Sequence, residues 1–327
     1  MSHGETALVV GMNGGFGGAT ARALRAQGFR IRGLSRGPAP TPEPGIEWLR
    51  GDAMNRDDLR SAARGATVIV HGAHPAGYRN WREHGLPMLD NVIAAAKHAG
   101  ATVVFPGNVY NFGPDAGEVL REDSPQHPRT RKGSIRVGME QTLRDAGRDG
   151  VRSLVLRCGD FFGPGARSSW FSQALVKPGR AVRRVAYPGA HSAGHSWAYL
   201  PDAGRAVAEL MRHRRDFAPF EVFHFAGHWL PRGVAMAETI CEVAGIPRAR
   251  IGSFPWWAII ALSPFVKTFG EMLEMRYLWT ESLALDNRKL VGVLGREPHT
   301  PLRDAVEGAL ASLGCLEVRA AAVSSAG

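Results

Sequence analysis

VVGMNGGFGGATARAL, residues 9–24, is the stretch that decides the fold of this chain. It begins in an apolar run, passes through several glycines and ends in an alanine-rich segment. The run TALVV (6–10) predicts a short buried strand, and residues 17–26 predict a helix. A glycine-rich turn between a strand and a helix is typical of proteins that bind a dinucleotide. The alternative is that the turn only connects the two elements and binds nothing.

Three glycines of this turn have distinct physical roles in such a site. Gly11 permits the tight turn, Gly14 lets backbone approach a pyrophosphate, and Gly17 lets the helix pack closely on the strand. The helix N-terminus then offers free N–H groups and a positive dipole end to the phosphates. The expected phosphate-binding surface also includes the residues between these glycines: Asn13, Gly15 and Phe16.

The segments that follow alternate between strands and helices in the same way. Further strands are predicted at 29–34, 67–73, 101–107 and 151–157, and helices at 87–99 and 131–146. Continuous apolar strands separated by helices are typical of a parallel sheet that is covered on both faces. We therefore expect an α/β protein with a Rossmann-type, doubly wound parallel sheet.

The alternation becomes less regular after Gly159, and we place a small C-terminal α+β substrate lobe there. Strands are expected at 181–186, 195–200 and 221–226, and helices at 202–213, 233–244, within 255–280 and at 301–313. The expected organisation is a Rossmann dinucleotide-binding core at 1–160, the last sheet strands interleaved with the substrate lobe at 161–314, and a disordered tail at 315–327.

The composition is typical of a folded, soluble protein of the cytoplasm. Of the 327 residues, 44% are hydrophobic and only 21% charged, so a substantial core can form. The three cysteines are far apart and odd in number, which argues against a disulfide framework and favours a reducing compartment. The N-terminus has no signal-peptide pattern, and the apolar stretch 254–270 contains two prolines and a lysine. We therefore expect no membrane span.

The formal net charge of +10 raises the possibility of nucleic-acid binding. The excess comes from 35 arginines against 5 lysines, and it is spread along the chain instead of being concentrated in one stripe. No helix-turn-helix or zinc-finger pattern is present. We therefore expect the charge to favour phosphorylated small ligands and not a nucleic acid.

Several stretches besides the glycine turn resemble one family, the extended short-chain dehydrogenase/reductases of the NAD-dependent epimerase/dehydratase group. They are WLRGDAMNRDDL (48–59), VIVHGAH (68–74), VYNFGP (109–114), LRCGDFFGPG (156–165) and HSWAYLPDAGRAVAELM (195–211), within a match of about residues 5 to 313. The resemblance implies that Asp52 and Ala53 meet the adenine ring. It also implies that Gly72, Ala73 and His74 pass under the cofactor.

The residues at the end of the second strand bear on which dinucleotide is bound. NAD-preferring proteins usually carry an acid there, which holds the ribose 2′-hydroxyl. This chain has Ser35 and Arg36 at that position. A hydroxyl and a guanidinium suit a 2′-phosphate, so NADP is expected as the cofactor, with NAD as the alternative. A third interpretation is that Arg36 is only a solvated surface residue.

The catalytic positions of the family are substituted in this chain. The family uses a Ser or Thr before its Val-Tyr-Gly turn and a Tyr-x-x-x-Lys pair on the following helix. Anchoring on Val109-Tyr110 puts Pro106 at the Ser/Thr position. Anchoring on Glu140 puts Lys132 at the Tyr position and Arg136 at the Lys position. The chain therefore resembles an atypical, divergent branch of the family.

Lys132 and Arg136 keep some of the chemistry that the missing residues would supply. Arg136 can bond ribose hydroxyls but cannot release a proton. Lys132 can, because a lysine beside a fixed cation in a closed site has a lowered pKa. Lys132 could instead bind an anion or the cofactor, or have no role. Tyr110 is a second candidate acid, and Asn108 and His74 could orient a substrate carbonyl.

Two histidine pairs have the spacing of zinc ligands on a helix, namely His191/His195 and His224/His228. Both pairs fall in strands or loops, with no glutamate placed to assist them, so no metal is expected. A place in the substrate pocket is the expectation for His191 or His195. The stretch WWAIIAL (256–262) indicates core packing or a homodimer contact.

The leading function from the sequence is an oxidoreductase that moves hydride between a nicotinamide and a small carbonyl or alcohol substrate. A nucleotide-sugar epimerase or dehydratase is one alternative, although such enzymes rely on the tyrosine that is missing here. A non-catalytic NADP(H)-binding sensor, which would dock a protein partner, is the other. The sensor explains the substituted positions directly.

Overall fold

The computed structural model describes residues 4–37, 43–73 and 81–317, with only the backbone of residues 81 and 82. Seven strands form a parallel central sheet in the order β11-β7-β5-β4-β1-β2-β3. Their bounds are β1 Thr6–Val10, β2 Arg30–Ser35, β3 Ile46–Arg50, β4 Val68–His71, β5 Thr102–Asn108, β7 Ser153–Cys158 and β11 Phe220–Phe225. The predicted Rossmann-type, doubly wound sheet is confirmed.

Helices cover both faces of this sheet, because apolar side chains of β1 point alternately to each face and all of them must be buried. Ala7 and Val9 face one layer while Leu8 and Val10 face the other, and all four are buried. The first layer contains α1 Gly15–Ala26, α5 Leu200–Arg212 and α9 Arg288–Leu294. The second contains α2 Arg56–Ala62, α3 Leu86–Ala99 and α4 Arg131–Arg148.

Smaller sheets and helices form a lobe at the carboxyl end of the central sheet. Its strands are β6 Val119–Leu120, β8 Asp160–Phe162, β9 Val185–Tyr187, β10 His195–Tyr199, β12 His228–Leu230, β13 Ile251–Ser253 and β14 Ala284–Leu285. Its helices are α6 Ala235–Ala244, α7 Trp256–Leu262, α8 Lys267–Glu274 and α10 Leu302–Ser312. A third core, centred on Trp197, Trp279 and Phe162, holds this lobe together.

One expectation about the end of the chain needs adjustment. The strand predicted at 221–226 is present as β11, which pairs with β7 at the edge of the central sheet and is one of the sheet strands expected within 161–314. The tail predicted to be disordered from residue 315 is ordered where it begins. Cys315 is fully buried, and its carbonyl accepts a hydrogen bond from the N–H of Val182. Residues 318–327 lie outside the described part of the chain.

The apolar stretch around α7 is less buried than core packing would require. Trp257 and Phe265 are 77% and 84% exposed, and Ile260, Leu262 and Val266 are also largely exposed. The homodimer expected from this stretch stays a prediction. No helix in the described part of the chain has both the length and the apolar character needed to cross a membrane.

Candidate functional site

The glycine turn has the close contacts that its sequence predicts. Gly11 has a positive φ of 83°, and an added Cβ would lie 2.4 Å from the backbone nitrogen of Ala73. An added Cβ at Gly17 would lie 2.5 Å from the Gly11 carbonyl oxygen. Gly14 differs, because its φ of −85° is open to any residue and the nearest atom to an added Cβ is 3.2 Å away. Gly11 and Gly17 are therefore needed for folding, whereas Gly14 is free for a ligand.

The start of α1 offers unpaired donors beside Gly14. Among the described residues, the N–H groups of Gly15 and Phe16 have no backbone acceptor. The first turn of α1 also contains no acidic residue that would repel a phosphate. Donors at a helix N-terminus beside a side-chain-free glycine fit the pyrophosphate of a dinucleotide. The residues of this turn therefore fit the cofactor that the sequence predicts.

A cavity of about 250 Å³ opens next to the turn, at the carboxyl ends of β1, β4, β5 and β7. The strand order reverses between β1 and β4, and this reversal is where doubly wound sheets bind their ligands. The lining residues that bear on chemistry come from every one of these strand ends and from α4. They are Asn13, Gly14, Gly15, Phe16, Gly72, Ala73, Asn108, Tyr110, Arg136, Cys158, Asp160 and Arg167.

Arg136 projects from α4 toward the wall of this cavity. Its Nη1 donates to the carbonyl oxygen of Pro106 at 3.0 Å, and its guanidinium carbon lies 5.2 Å from the centre of the Phe105 ring. The positions predicted to replace the family's Ser/Thr and Lys are therefore neighbours in space. Asn108 and Tyr110 line the same cavity, and the side-chain carbonyl of Asn108 accepts the N–H of Tyr110 at 3.0 Å.

Lys132 does not line this cavity. Its side chain is 2% exposed and forms ion pairs with Glu271 and Glu274 of α8, the second at 3.1 Å. Burial tends to raise the pKa of Glu271, but Lys132 and Arg131 outweigh it and hold that pKa below its usual range. The structure thus gives Lys132 two carboxylate partners that the sequence did not reveal. Its catalytic role stays a prediction, and these contacts do not favour it.

A buried ion pair fixes α4 against the sheet one turn beyond Arg136. The guanidinium of Arg157 donates to both carboxylate oxygens of Glu140, at 2.6 Å from Nη2 and 3.2 Å from Nε. Arg157 is fully buried and Glu140 nearly so. Nη1 of Arg157 also donates to Nε2 of His224 at 3.2 Å. Because one partner alone would be an uncompensated buried charge, the pair constrains where Arg136 can lie.

The other predicted cofactor residues lie apart from the cavity. Ser35 ends β2, and Arg36 follows it as an exposed residue. Asp52 accepts the N–H of Met54 at 3.0 Å, and the Ala53 carbonyl accepts from Asn91 at 3.1 Å. These residues line up along the carboxyl ends of β2 and β3, beyond Gly14. His74 lies outside the described residues.

Asp160 and Arg167 line the cavity but were not among the residues predicted from the sequence. Asp160 begins β8, two residues after the end of β7 at Cys158, and Oδ2 of its carboxylate lies 2.9 Å from Nε2 of His195. The available signal was the single acid in the mostly apolar stretch LRCGDFFGPG. Arg167 is exposed at the cavity rim. Burial raises the pKa of the Cys158 thiol, so Cys158 is an unreactive wall residue.

The two members of each histidine pair lie in different environments. His195 contacts Asp160, whereas the His191 ring packs against Tyr187. His224 is buried beside Arg157, and the His228 ring contacts His299 at 4.5 Å. In the part of the chain that the structure describes, no three His, Cys, Asp or Glu side chains group as metal ligands would.

The fold and the glycine turn define the class of protein as a Rossmann-type nucleotide-binding α/β protein. The sequence profile of the NAD dependent epimerase/dehydratase family matches residues 7–226. The chain belongs to this family.

Known relatives and solved structures agree with that assignment. The chain is 31% identical over 91 residues to a 2-alkyl-3-oxoalkanoate reductase of Shewanella oneidensis, which is 28% of this chain and 23% of that protein. The aligned part thus spans about a quarter of the reductase. Among solved structures, MoeE5 in complex with UDP-glucose and NAD superimposes with a TM-score of 0.71 at 19% identity, over 94% of this chain and 98% of the other. A UDP-galactose 4-epimerase gives 0.69 at 20% identity, over 94% and 98%. At such identities the structural likeness describes the fold alone.

Proposed function

We propose that this protein binds NADP(H) and interconverts a small ketone and its alcohol. The observation that carries the proposal is the junction of the glycine turn with the cavity. Gly14, Gly15 and Phe16 belong to both, so a dinucleotide held at the turn would extend directly into a mainly apolar space that also carries polar side chains such as Asn108 and Arg136. The same space has room for a small substrate beside the cofactor.

Two groups of residues would hold the two ends of the cofactor. The turn and the N-terminus of α1 would bind the pyrophosphate, and Asp52 and Ala53 would lie beside the adenine. At the other end, Arg136 would bond the ribose next to the nicotinamide, from the position that Pro106 fixes. A bound nicotinamide supplies or accepts the hydride of the reaction.

NADP is favoured over NAD by the charge around the end of β2. The sequence contains no Asp or Glu between residues 6 and 42, so this region supplies no acid for a free 2′-hydroxyl. Arg36 is exposed there, and Arg50 lies beside Ser35 in the pairing of β2 with β3. Two arginines and a hydroxyl form a suitable environment for a 2′-phosphate.

Arg167 bears on the class of substrate. It lies exposed at the cavity rim, and in the described part of the chain no acidic side chain pairs with it. A ketone that carries a carboxylate would place its anion there and its carbonyl deeper in the cavity. The name of the Shewanella relative describes a reductase of such an oxo acid, which supports this choice of substrate class.

A non-catalytic NADP(H) sensor is a second candidate, favoured by the contacts of Lys132. The tyrosine position is occupied by a lysine that is fully engaged with two carboxylates, so the usual proton donor of the family has no counterpart there. A nucleotide-sugar epimerase or dehydratase is favoured less, since such enzymes rely on the family's tyrosine, whose position Lys132 occupies in this chain.

The two functions separate in a direct assay. The purified protein is mixed with NADPH or NADH and a panel of ketones with and without a carboxylate, acetoacetate among them, and nicotinamide absorbance is followed. A decrease in NADPH absorbance when an oxo acid is present supports the reductase. Tight NADPH binding by calorimetry, with no turnover on the whole panel, supports the sensor. Binding of neither dinucleotide would refute both.

A further inference from the structure

The Asp160–His195 pair is a charged group at the cavity that the proposed cofactor site does not use. The two side chains are 11% and 6% exposed, and Oδ2 of Asp160 lies 2.9 Å from Nε2 of His195. Asp160 lines the main cavity, while His195 lies behind it and stacks on Trp279 with the ring centres 4.4 Å apart. Asp160 therefore lies between the ligand space, which it lines, and an imidazole, which its carboxylate contacts.

The hydrogen bonds of His195 indicate how many protons the pair holds. Nδ1 lies 3.2 Å from the carbonyl oxygen of Leu278, which can only accept, so Nδ1 carries a hydrogen. Nε2 and Oδ2 are then joined by one shared proton, as an imidazolium with a carboxylate or as two neutral groups. Without that proton, a lone pair of Nε2 would face a carboxylate oxygen at 2.9 Å, which is unfavourable. The geometry therefore fits a pair that shares one proton beside the cavity.

We propose that Asp160 is the catalytic acid and base of this site, with His195 as the positioning residue that supplies and stores its proton. This inference rests on the proposed function. It names the residue that takes the place of the family's missing tyrosine.

The proton transfer needs no reagent besides the reduced nicotinamide of the proposed function and water. As the carbonyl carbon gains a hydride, the electron pair of its C=O bond moves to oxygen, and that oxygen forms an O–H bond with the shared proton. The bond that breaks is the O–H bond of Asp160, and where the proton starts on Nε2 of His195 it passes first to the Asp160 carboxylate as the N–H bond breaks. The pair is left as a carboxylate and a neutral imidazole, and it regains a proton from water. Oxidation of the alcohol runs the same steps in reverse.

The surroundings of the pair are mostly aromatic, with few other groups to share the proton. Behind His195, the indole rings of Trp197 and Trp279 exclude water. Glu281 lines a small pocket that Asp160 and His195 also border, and its charge is neutralised by Arg129 at 2.7 and 2.8 Å. Burial raises the pKa of Tyr277 far above its usual value, and Asp160 adds to this, so Tyr277 stays neutral. Among the described residues, the other titratable or charged groups that line the cavity are Cys158, Tyr110, His71, Arg136 and Arg167. Glu274 lies near Tyr277, and Tyr187 packs against Trp279.

The first test needs no turnover. In ¹⁵N-histidine NMR spectra of the intact protein, assigned with His195→Gln, the His195 Nδ1 should stay protonated as pH is raised. Its Nε2 should change from a hydrogen-bonded N–H to a bare nitrogen, and Asp160→Asn should move the pH of that change. A His195 ring with bare Nδ1, or one that does not respond to Asp160→Asn, overturns the proposal.

The second test is kinetic and uses acetoacetate with NADPH. Asp160→Asn keeps the size of the side chain but cannot deliver the proton, so kcat should fall about 100-fold or more while the Kd for NADPH stays the same. The loss of activity with rising pH in the wild type should be absent in this variant. His195→Gln should lower kcat less and shift that pH limb. Unchanged NADPH affinity and near-UV circular dichroism show that each variant is folded.

A second Asp–His pair in the chain provides the matched control. Asp115 and His127 lie 2.6 Å apart but are exposed and do not line the cavity, so Asp115→Asn should leave kcat unchanged. Full kcat in Asp160→Asn refutes the acid role and leaves the reductase standing. A wild type that binds NADPH but reduces no ketone refutes the proposed function itself, and the catalytic role of the pair with it.

Discussion

At the scale of single residues, the glycines of the turn separate folding from binding. Gly14→Val adds atoms where a pyrophosphate must approach, and its Cβ would lie 3.2 Å from the Gly11 carbonyl oxygen, a tight contact but a milder one than at Gly17. We expect NADPH binding to be lost by calorimetry while the melting temperature falls less than in Gly17→Val.

Gly17→Val is the contrasting variant, because its Cβ would meet the Gly11 carbonyl oxygen at 2.5 Å. It should lower the melting temperature markedly, since helix and strand can no longer pack so closely. Undiminished NADPH binding in Gly14→Val would show that the turn is not the phosphate site.

Arg36 tests the choice of cofactor. If its guanidinium grips a 2′-phosphate, Arg36→Ala should weaken NADPH binding by about 1.5–3 kcal/mol, as for a hydrogen bond to a charged group. NADH binding should barely change. Arg30 is the control, because it lies at the opposite end of the same strand and bonds the Gly4 carbonyl at 3.0 Å. An equal loss for both dinucleotides, or for neither, contradicts the assignment.

At the scale of elements, Lys132 joins α4 to α8. Replacing it with Met removes the buried cation from between Glu271 and Glu274, which are largely shielded from water, and leaves them only the exposed Arg131, at 2.8 and 4.0 Å. Removing one partner of a buried ion pair costs about 3 kcal/mol, and we expect somewhat less because the glutamates retain some exposure. Urea unfolding of Lys132→Met measures this loss.

The control for Lys132 is Lys97→Met, which removes an exposed ion pair to Asp149 at 3.9 Å and should cost little. The kinetic result then separates the two roles of Lys132. Normal kcat in folded Lys132→Met makes the lysine structural. Lost kcat with an unchanged Kd for NADPH would support its predicted role in proton transfer.

Local patterns predict the elements well, because strand and helix periodicities depend on neighbouring residues. The stretch 6–26 is sufficient for β1, the turn and α1, and the apolar runs place β4, β5 and β7. The partners of Lys132 are not predictable in this way, since Glu271 lies 139 residues and Glu274 142 residues further along the chain. The Asp160–His195 contact joins two elements 35 residues apart and is hidden for the same reason.

At the scale of the whole molecule, the site lies where the central sheet meets the second lobe. The turn, Asn108 and Arg136 come from the sheet and its helices, whereas Arg167 and the Asp160–His195 pair come from residues that follow β7. The sequence indicates this division, because regular alternation stops near Gly159. It does not indicate how β8 and β10 pair in parallel and carry these side chains to the cavity.

Buried histidines make the stability of the whole molecule depend on pH. His224 is fully buried, its Nδ1–H donates to the Leu120 carbonyl at 3.1 Å, and its Nε2 accepts from Arg157 at 3.2 Å. Both nitrogens are thus used by the neutral ring, and burial followed by the charge of Arg157 lowers its pKa from 6.5 to about 3. Burial and His299 likewise lower the pKa of His228 to about 4.

The sign of the effect follows from these depressed pKa values. Above pH 6.5 the His224 ring is neutral in both the folded and the unfolded chain, so its protonation costs no stability. Below pH 6.5 the ring binds a proton in the unfolded chain but stays neutral in the folded protein, which favours unfolding. Stability should therefore fall as pH decreases from 6.5 toward 3, by about 2 kcal/mol per histidine at pH 5. Urea unfolding at pH 7 and pH 5 measures the difference, and His224→Gln, which can still accept from Arg157, should reduce it. Replacing the exposed His98 with Gln should leave the difference unchanged, and an equal pH dependence in all three proteins would contradict the assignment to His224.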